Sequence, residues 1–375
     1  MDGYRGARTA LIVGAGVAGL TAATALARDG WQVEIAEAGP PEAPAGWGLC
    51  LTGPSLRALD ELGLADSCLV AGYGMTTITQ VDAGGKPADE VRLPRLIGAR
   101  RPAMAGIARP VLHRVLYAEA ERCGVVVRHG MTAAAVDQEG EQVRVRLSDR
   151  TARTVALLVG ADGIRSTTRG LLGFEATPDY HGQMVWRALV PRPAWATGIH
   201  HFAGKAGTAG LVPLSDGQAY VFLTENGVER SALPDAALAP RLRQLLEAFP
   251  GRVEEIRSLV SESESVVRRP VLTMLLEGAW NRGNGVVLGD AAHGPAPQTA
   301  SGAALAVEDG LVLAEEIGRH GSVGAGLKAF VRRRAQRCRT LVRTSVAIVG
   351  LEQARRHQEA YSLVDSCHRL LAEPA

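Results

Sequence analysis

Residues 9–37 read TALIVGAGVAGLTAATALARDGWQVEIAE, and this stretch decides the fold. Thr9–Val13 is a short apolar strand, and Gly14-Ala-Gly16-Val-Ala-Gly19 follows it directly. Leu20–Arg28 are helix formers that stop at Asp29-Gly30, and Trp31–Ala36 makes a second strand closed by Glu37. This is the opening βαβ unit of a Rossmann-like α/β sheet. The first glycine makes the tight turn, the second admits a pyrophosphate, and the third lets helix pack on strand. An acidic residue closing the second strand takes adenosine ribose hydroxyls, so Glu37 favours a dinucleotide without a 2′-phosphate, FAD or NAD.

A second stretch near the other end of the chain, Val286–Gly310, reads VVLGDAAHGPAPQTASGAALAVEDG. A buried-type strand ends at Gly289-Asp290, and two prolines keep residues 294–297 out of regular helix. A helix then starts near Ser301-Gly302, with Ser301 at its N-cap. A carboxylate at a strand end, followed by free helix amides, suits a ligand with a hydroxylated chain and an electron-accepting ring. A third strand end of this kind, Gly160-Ala-Asp162-Gly163-Ile-Arg165-Ser166, closes the apolar run Val155–Val159.

Composition narrows the function class. A chain of 375 residues with net charge +2 can bury a large two-lobed core and has no electrostatic bias toward nucleic acid. Lysine occurs only at Lys86, Lys205 and Lys328, a bias attributed to base composition. The five cysteines are scattered without zinc or redox spacing, so reduced thiols, no metal and a cytoplasmic setting are expected. No signal peptide and no membrane-length apolar run is read, so stable membrane insertion is not expected.

Between these landmarks the chain alternates helix and strand. Gly46–Gly63 reads as a glycine-rich strand and a short helix, and Met75–Asp82 as a strand with a turn at 83–85. Lys86–Ala108 shows no period and reads as an excursion over a pocket or a surface loop. Arg109–Arg122 is helical; Val125–Arg128, Ala133–Val136 and Val143–Leu147 are strands. A β-meander follows over Met184–Val190, Ile199–Ala203, Thr208–Leu214 and Gln218–Thr224. Leu238–Phe249 is a helix, and Ser265–Thr273 another strand. Leu311–His320, Val323–Gly350 and Glu352–Leu371 are helical, and the basic run Arg332–Arg339 reads as a solvated face.

The motifs GAGVAG at 14–19, GADGIRS at 160–166 and GDAAHGPAP at 289–297, with Arg109-x-x-Leu112-x-x-x-Leu116 between the first two, resemble the single-component FAD-dependent aromatic hydroxylases, the para-hydroxybenzoate hydroxylase family. The resemblance covers about residues 8–345. It implies a discontinuous FAD-binding domain (1–72, 108–176, 281–345), an interleaved β-sheet substrate domain (73–107, 177–280) and a C-terminal helix (346–375). Gly14, Gly16, Gly19 and Glu37 would hold the ADP half of FAD, and Arg109 the flavin side. Asp162 and Gly163 belong to a second fingerprint linked to the pyrophosphate and NAD(P)H. Asp290 would bind the ribityl chain, Pro297 the ring edge, and the amides near Ser301, Gly302 and Ala303 its pyrimidine end. Departures from the family are Ala38 after Glu37, and Thr299-Ala300-Ser301-Gly302 where relatives carry Gly-Gln-Gly. Thr208 and Gln298 stand where the urate-hydroxylating branch has arginine and aspartate, which disfavours urate. The halogenase Trp-x-Trp-x-Ile-Pro pattern is absent from Trp186–Pro191.

The implied activity is hydroxylation of an electron-rich aromatic or enolic molecule by a flavin C4a-hydroperoxide, consuming O2 and NADH or NADPH, in a monomer or homodimer. A flavin ene-reductase of the geranylgeranyl-reductase type and a non-catalytic dinucleotide sensor are the competing readings. Parity puts Met184, Trp186 and Ala188 on one strand face and Tyr220, Phe222 and Thr224 on another as pocket candidates. Tyr220 and one of His200 and His201 are the candidate catalytic side chains. His293 and Cys50 read as structural. With no carboxylate among the meander's candidates and no arginine at Thr208 to clamp a substrate carboxylate, a neutral, already activated substrate is expected.

Overall fold

The computed structural model describes residues 8–41, 47–82, 84–204, 207–261 and 265–375. Gly46, where the glycine-rich strand was expected to begin, and Ala83 of the expected turn lie outside the described residues. Apolar strands without polar alternation build a sheet buried on both faces. Its order is Asn281–Arg282, Gly285–Val287, Leu157–Gly160, Thr9–Val13, Gln32–Glu37, Val126–His129. All neighbours run parallel except the first pair. From Thr9–Val13 the chain spreads one way to Gln32–Glu37 and later the other way to Leu157–Gly160. Such a switch point opens a crevice beyond the carboxyl ends of the strands, where Gly14 and Ala161 sit.

A seven-stranded sheet has the order Val266–Thr273, Asp179–Pro191, Gln218–Asn226, Gly207–Pro213, Ile199–Gly204, Thr77–Val81, Pro87–Arg92. One face packs a core that includes Trp186, Phe202, Leu211 and Leu223, together with Leu242 of helix Asp235–Leu246 and Ile256 of helix Val253–Leu259. The other face lines a cavity. Two three-stranded sheets complete the fold: Ala133–Glu139 with Gln142–Leu147 and Ala152–Val155, and Gly48–Leu51 with Met104–Ala108 and Tyr73–Met75.

Several elements differ from the sequence reading. The aperiodic stretch 86–108 holds two strands; Pro87–Arg92 is an edge strand whose exposed side chains leave no hydrophobic alternation to detect. Met75–Asp82 divides between two sheets, and Val155–Val159 breaks at Ala156. Helices Ala65–Ala71 and Val253–Leu259 carried too little periodicity to be read. The tail forms two helices as read, but the first, Val323–Gln353, runs through position 346, where the C-terminal segment was expected to begin, and His357–Ala372 follows after a turn where Arg355 takes φ 59°. The basic run is a solvated face only in part: Arg332 and Arg333 are exposed, but Arg334 is fully buried. Among the described residues no helix is long and apolar enough to cross a membrane.

Helix Val17–Arg28 lies directly on helix Gly302–Arg319, and Gly310 permits the contact: a Cβ there would come within 2.6 Å of the Ala22 backbone nitrogen. Gly310→Ala forces two backbones apart and is expected to cost about 1–3 kcal/mol, despite alanine's better helix propensity. A lowered urea midpoint at unchanged slope checks this; a midpoint at or above wild type refutes it.

Candidate active site

Three strand ends meet at the switch point. Gly14 takes φ 104°, and a Cβ on Gly19 would sit 1.9 Å from the Gly14 oxygen, so the first loop is closed tightly from behind. In front it is open, since a Cβ on Gly16 would meet nothing within 4 Å. Glu37 Oε2 accepts from the Ala15 amide at 2.6 Å and Oε1 from the Gly39 amide at 2.7 Å, which fixes its carboxylate beside the loop. Arg109 opens helix Arg109–Arg122, its amide bonded to the Trp47 carbonyl at 2.9 Å. Asp162 is occupied locally: its carboxylate accepts from the Ser166 hydroxyl and, at 2.9 Å, from the Thr168 amide at the start of helix Thr167–Leu171. Gly163, with φ 79°, makes the turn between them.

Asp290 starts the short helix Asp290–His293. Its side chain is open to solvent but sits in a recess, where burial of the surroundings disfavours the charge and raises its pKa. Pro297 is exposed and heads a turn of 3-10 helix, and Ala300 takes φ 48° before helix Gly302–Arg319. Ser301 stands at the N-cap, but its hydroxyl pairs with Thr299 Oγ1 at 2.6 Å and caps no amide. The first amides of this helix, at Gly302 and Ala303, have no intrahelical acceptor. The residues fit FAD: open space for a pyrophosphate at Gly16, an accessible carboxylate at Asp290 and a helix start beyond it.

A buried charge cluster holds this turn in place. Asp309 Oδ2 accepts from the Gly289 amide at 2.9 Å and pairs with His293 Nε2 at 2.6 Å. Arg334 Nε donates to Asp309 Oδ1 and its Nη1 to Glu308 Oε2, each at 2.8 Å. Burial alone would lower the His293 pKa, but Asp309 outweighs it and holds the imidazole well above 6.5. Burial would raise Asp309, yet His293 and Arg334 bring it down to about 2. His293, Asp309 and Cys338 also come within 4.8 Å of one another, a potential ligand set that sequence spacing could not show. There the Arg334 guanidinium already stands beside the carboxylate as its cation.

A cavity of about 370 Å³ lies between the seven-stranded sheet and the tail helix His357–Ala372. Tyr220, Phe222 and Thr224 line it as parity suggests. The expectation for Met184, Trp186 and Ala188 fails, and Val185 and Arg187 line it instead. Register is the reason: Arg187 pairs with Phe222 and Val185 with Thr224, so odd residues share the pocket face. Trp186 points away and donates to Glu225 Oε2 at 3.0 Å. Of the histidines, His201 lines the pocket, edge-on to Phe222 at 5.5 Å. His200 does not; it packs against Trp195 at 4.9 Å on the other face. Burial takes His201 down to about 4 and pushes the Tyr220 phenol up, so both are neutral at pH 7. Cys50 is buried, its thiol pushed up to about 12.

The meander places no carboxylate in the pocket, but other segments do, and Arg187 adds a guanidinium. Arg187, Glu352, Asp89 and Asp365 all line it. Arg187 was hidden by choosing the wrong parity set. Glu352 sits on a helix far along the chain, and Asp89 on a strand without periodicity, so neither carried a sequence signal.

The fold and the strand-end site define a flavin-binding oxidoreductase, and comparison with known proteins agrees. The chain matches the FAD binding domain family over residues 8–345 and belongs to it, among the FAD-dependent aromatic monooxygenases. It is 30% identical over 310 residues to 2-heptyl-3-hydroxy-4(1H)-quinolone synthase of Pseudomonas aeruginosa, covering 82% of this chain and 80% of that one. It is 28% identical over 361 residues to aurachin C monooxygenase/isomerase of Stigmatella aurantiaca, covering 92% and 90%. The crystal structure of Klebsiella pneumoniae HpxO complexed with FAD and uric acid superposes with TM-score 0.87 at 23% identity, covering 99% and 98%, a likeness of fold.

The cluster makes a pH prediction. Asp309 is depressed, so its stabilisation is present above the ordinary carboxylate value of 3.8 and is lost as pH falls toward about 2. His293 is raised, so its share is present below 6.5 and is lost only as pH climbs through its higher folded value. Asp309→Asn leaves Arg334 and His293 underpaired and is expected to cost about 3–5 kcal/mol at pH 6. The difference from wild type should narrow between pH 4 and pH 2. Urea unfolding across that range measures it, and a constant gap would refute the assignment.

Proposed function

We propose that this chain is a NAD(P)H-consuming monooxygenase that hydroxylates an electron-rich aromatic or enolic molecule of natural-product size. The cavity of about 370 Å³ carries the reading, because it joins Tyr220, Phe222 and His201 to the segment Pro297–Thr299 between Asp290 and the free amides of the following helix. The nitrogen heteroaromatic in the name of the Pseudomonas relative supports that substrate class. FAD, reduced by a nicotinamide, supplies activated oxygen; the chain supplies orientation, electrostatics and exclusion of water.

In this reading residues 1–72, 108–176 and 281–345 bind FAD and residues 73–107 and 177–280 hold substrate. Gly14, Gly16, Gly19 and Glu37 take the ADP half, Asp290 the ribityl hydroxyls, and Gly302 and Ala303 favour negative charge at the ring. Arg109 stands on the flavin side. Asp162 and Gly163 support the loop beside the pyrophosphate by shaping the strand end. Tyr220 stays protonated and orients a substrate oxygen through its hydroxyl. His201, with its pKa near 4, is too weak a base to ionise an ordinary phenol at pH 7 and serves as a neutral partner. Arg187 then stabilises an oxyanion that the substrate brings or forms easily. The reduced thiols and the need for NAD(P)H favour the cytoplasm.

An oxygen electrode separates this reading from the ene-reductase, which works anaerobically, and from the sensor, which does neither. The expected outcome is a yellow protein whose NAD(P)H and O2 consumption rise with substrate, giving a product 16 mass units heavier. Reduction of an alkene under argon would replace this reading with the reductase. For the cofactor, Asp290→Ala removes a charged acceptor and should weaken FAD binding roughly tenfold to a hundredfold. Fluorescence titration of apoprotein with FAD reads this, and unchanged affinity would remove Asp290 from the site.

A further inference from the structure

The cavity has two polar ends that the described residues leave incompletely satisfied. At one end Arg187 has Tyr220 and Arg109 as its charged or titratable neighbours, and among the described residues no carboxylate pairs with it. A guanidinium carries five N–H donors, so this end offers donors and positive charge to whatever fills the cavity.

At the other end Glu352, from helix Val323–Gln353, enters the cavity wall. Its Oε2 accepts from Gln183 Nε2 at 3.0 Å and from Gln298 Nε2 at 3.1 Å. Its Oε1 has only the Thr208 hydroxyl at 3.5 Å, too long for a strong bond. Gln298 Nε2 also donates to Gln183 Oε1 at 2.7 Å, which leaves Gln298 Oε1 buried without a partner. The amide donors of Gln183 and Gln298 are spent, and Tyr361, which also lines the cavity, is the titratable side chain that stands beside Glu352. No cation pairs with Glu352 among the described residues. A buried carboxylate held by neutral amides, beside a second unfilled acceptor, is costly unless a donor completes it.

The two ends are set by one strand. Gln183 and Arg187 lie on the same face of Asp179–Pro191, four residues apart, so their backbone positions are separated by about 13 Å. We propose that the cavity reads its substrate at both ends, an oxyanion or carbonyl oxygen at Arg187 and a ring N–H or O–H donor at Glu352 and Gln298. The substrate class is then a fused heteroaromatic carrying an N–H donor and an oxygen acceptor on opposite sides. This rests on the monooxygenase reading and makes it specific: a small benzoate satisfies Arg187 and leaves the Glu352 corner unfilled.

The test titrates FAD-loaded protein with 4-hydroxyquinoline, which presents an N–H and an oxygen across one ring as its 4-quinolone tautomer, and with 1-methyl-4-quinolone, which lacks the N–H. Perturbation of the bound-FAD spectrum reads binding. Wild type should bind the parent at least about tenfold more tightly than the N-methyl compound. In Glu352→Ala that ratio should collapse toward one, and in Glu352→Gln, which keeps the side-chain volume, it should fall severalfold. Arg187→Gln should weaken both compounds together and leave the ratio intact. A merely structural Glu352 would lower both affinities and preserve the ratio, which overturns the proposal, as does a wild type blind to N-methylation or to both compounds at millimolar concentration. A yellow wild type with substrate-stimulated NAD(P)H oxidation but no such ratio ends this inference alone. A wild type that cannot be loaded with FAD ends both readings.

Discussion

Arg334 has no solvent exposure, and its partners Asp309 and Glu308 are buried with it. A charge in that position is tolerated only with its partners in place, because breaking a buried pair leaves an uncompensated ion. The pairing therefore fixes helix Val323–Gln353 against helix Gly302–Arg319 to within hydrogen-bond tolerance. Through Asp309 it reaches Gly289 and His293, on either side of Asp290. Through Glu308 it reaches Arg57 and Arg337, whose guanidiniums also hold the Leu371 and Glu373 carbonyls of the tail. One network thus positions the turn that carries Asp290 and anchors the far end of the helix that walls the cavity.

Strand Asp179–Pro191 shows how polarity is sorted by face. On the core side Trp186 meets Glu225, and Glu225 is neutralised by Arg241 at 2.8 Å and Arg268 at 3.4 Å. On the cavity side the next residue, Arg187, has no such partner. Residues one position apart thus sit in opposite states, one with its hydrogen bond made and one with its donors open. Buried polar groups in a folded protein are normally satisfied. Arg187 is one left without a carboxylate partner among the described residues, and it faces the cavity.

The cavity also depends on a segment that contributes nothing to the sheets. Helix His357–Ala372 buries Cys367 and Leu371 on one side and presents His357, Ala360, Tyr361 and His368 to the cavity. It packs on helix Val323–Gln353, and the arginine clamp on the tail carbonyls fixes its far end. The wall of the pocket and the position of Asp290 are coupled through one guanidinium, Arg334, which pairs with both Glu308 and Asp309.

Local chemistry made much of this legible in the sequence. The turn at Gly14–Gly19 needs glycine because backbone meets backbone there, and that requirement is met within six residues. The same holds for Gly289-Asp290 and for the helix Arg109–Arg122, with proline at its first turn. The FAD-binding family and its parallel sheet follow from such short-range constraints. What only the tertiary structure decided is which residues face one another. Alternation along Asp179–Pro191 defines two faces but not which is inside; pairing with Gln218–Asn226 made that choice and placed Arg187, not Trp186, in the cavity. The basic run at 332–339 looked like a solvated face until two carboxylates from another helix enclosed Arg334. Glu352 joined Gln183, Thr208 and Gln298 across four separate segments. Hydrogen bonds and ion pairs act over about 3 Å of space, and the chain's order does not encode which distant segments will come within that distance.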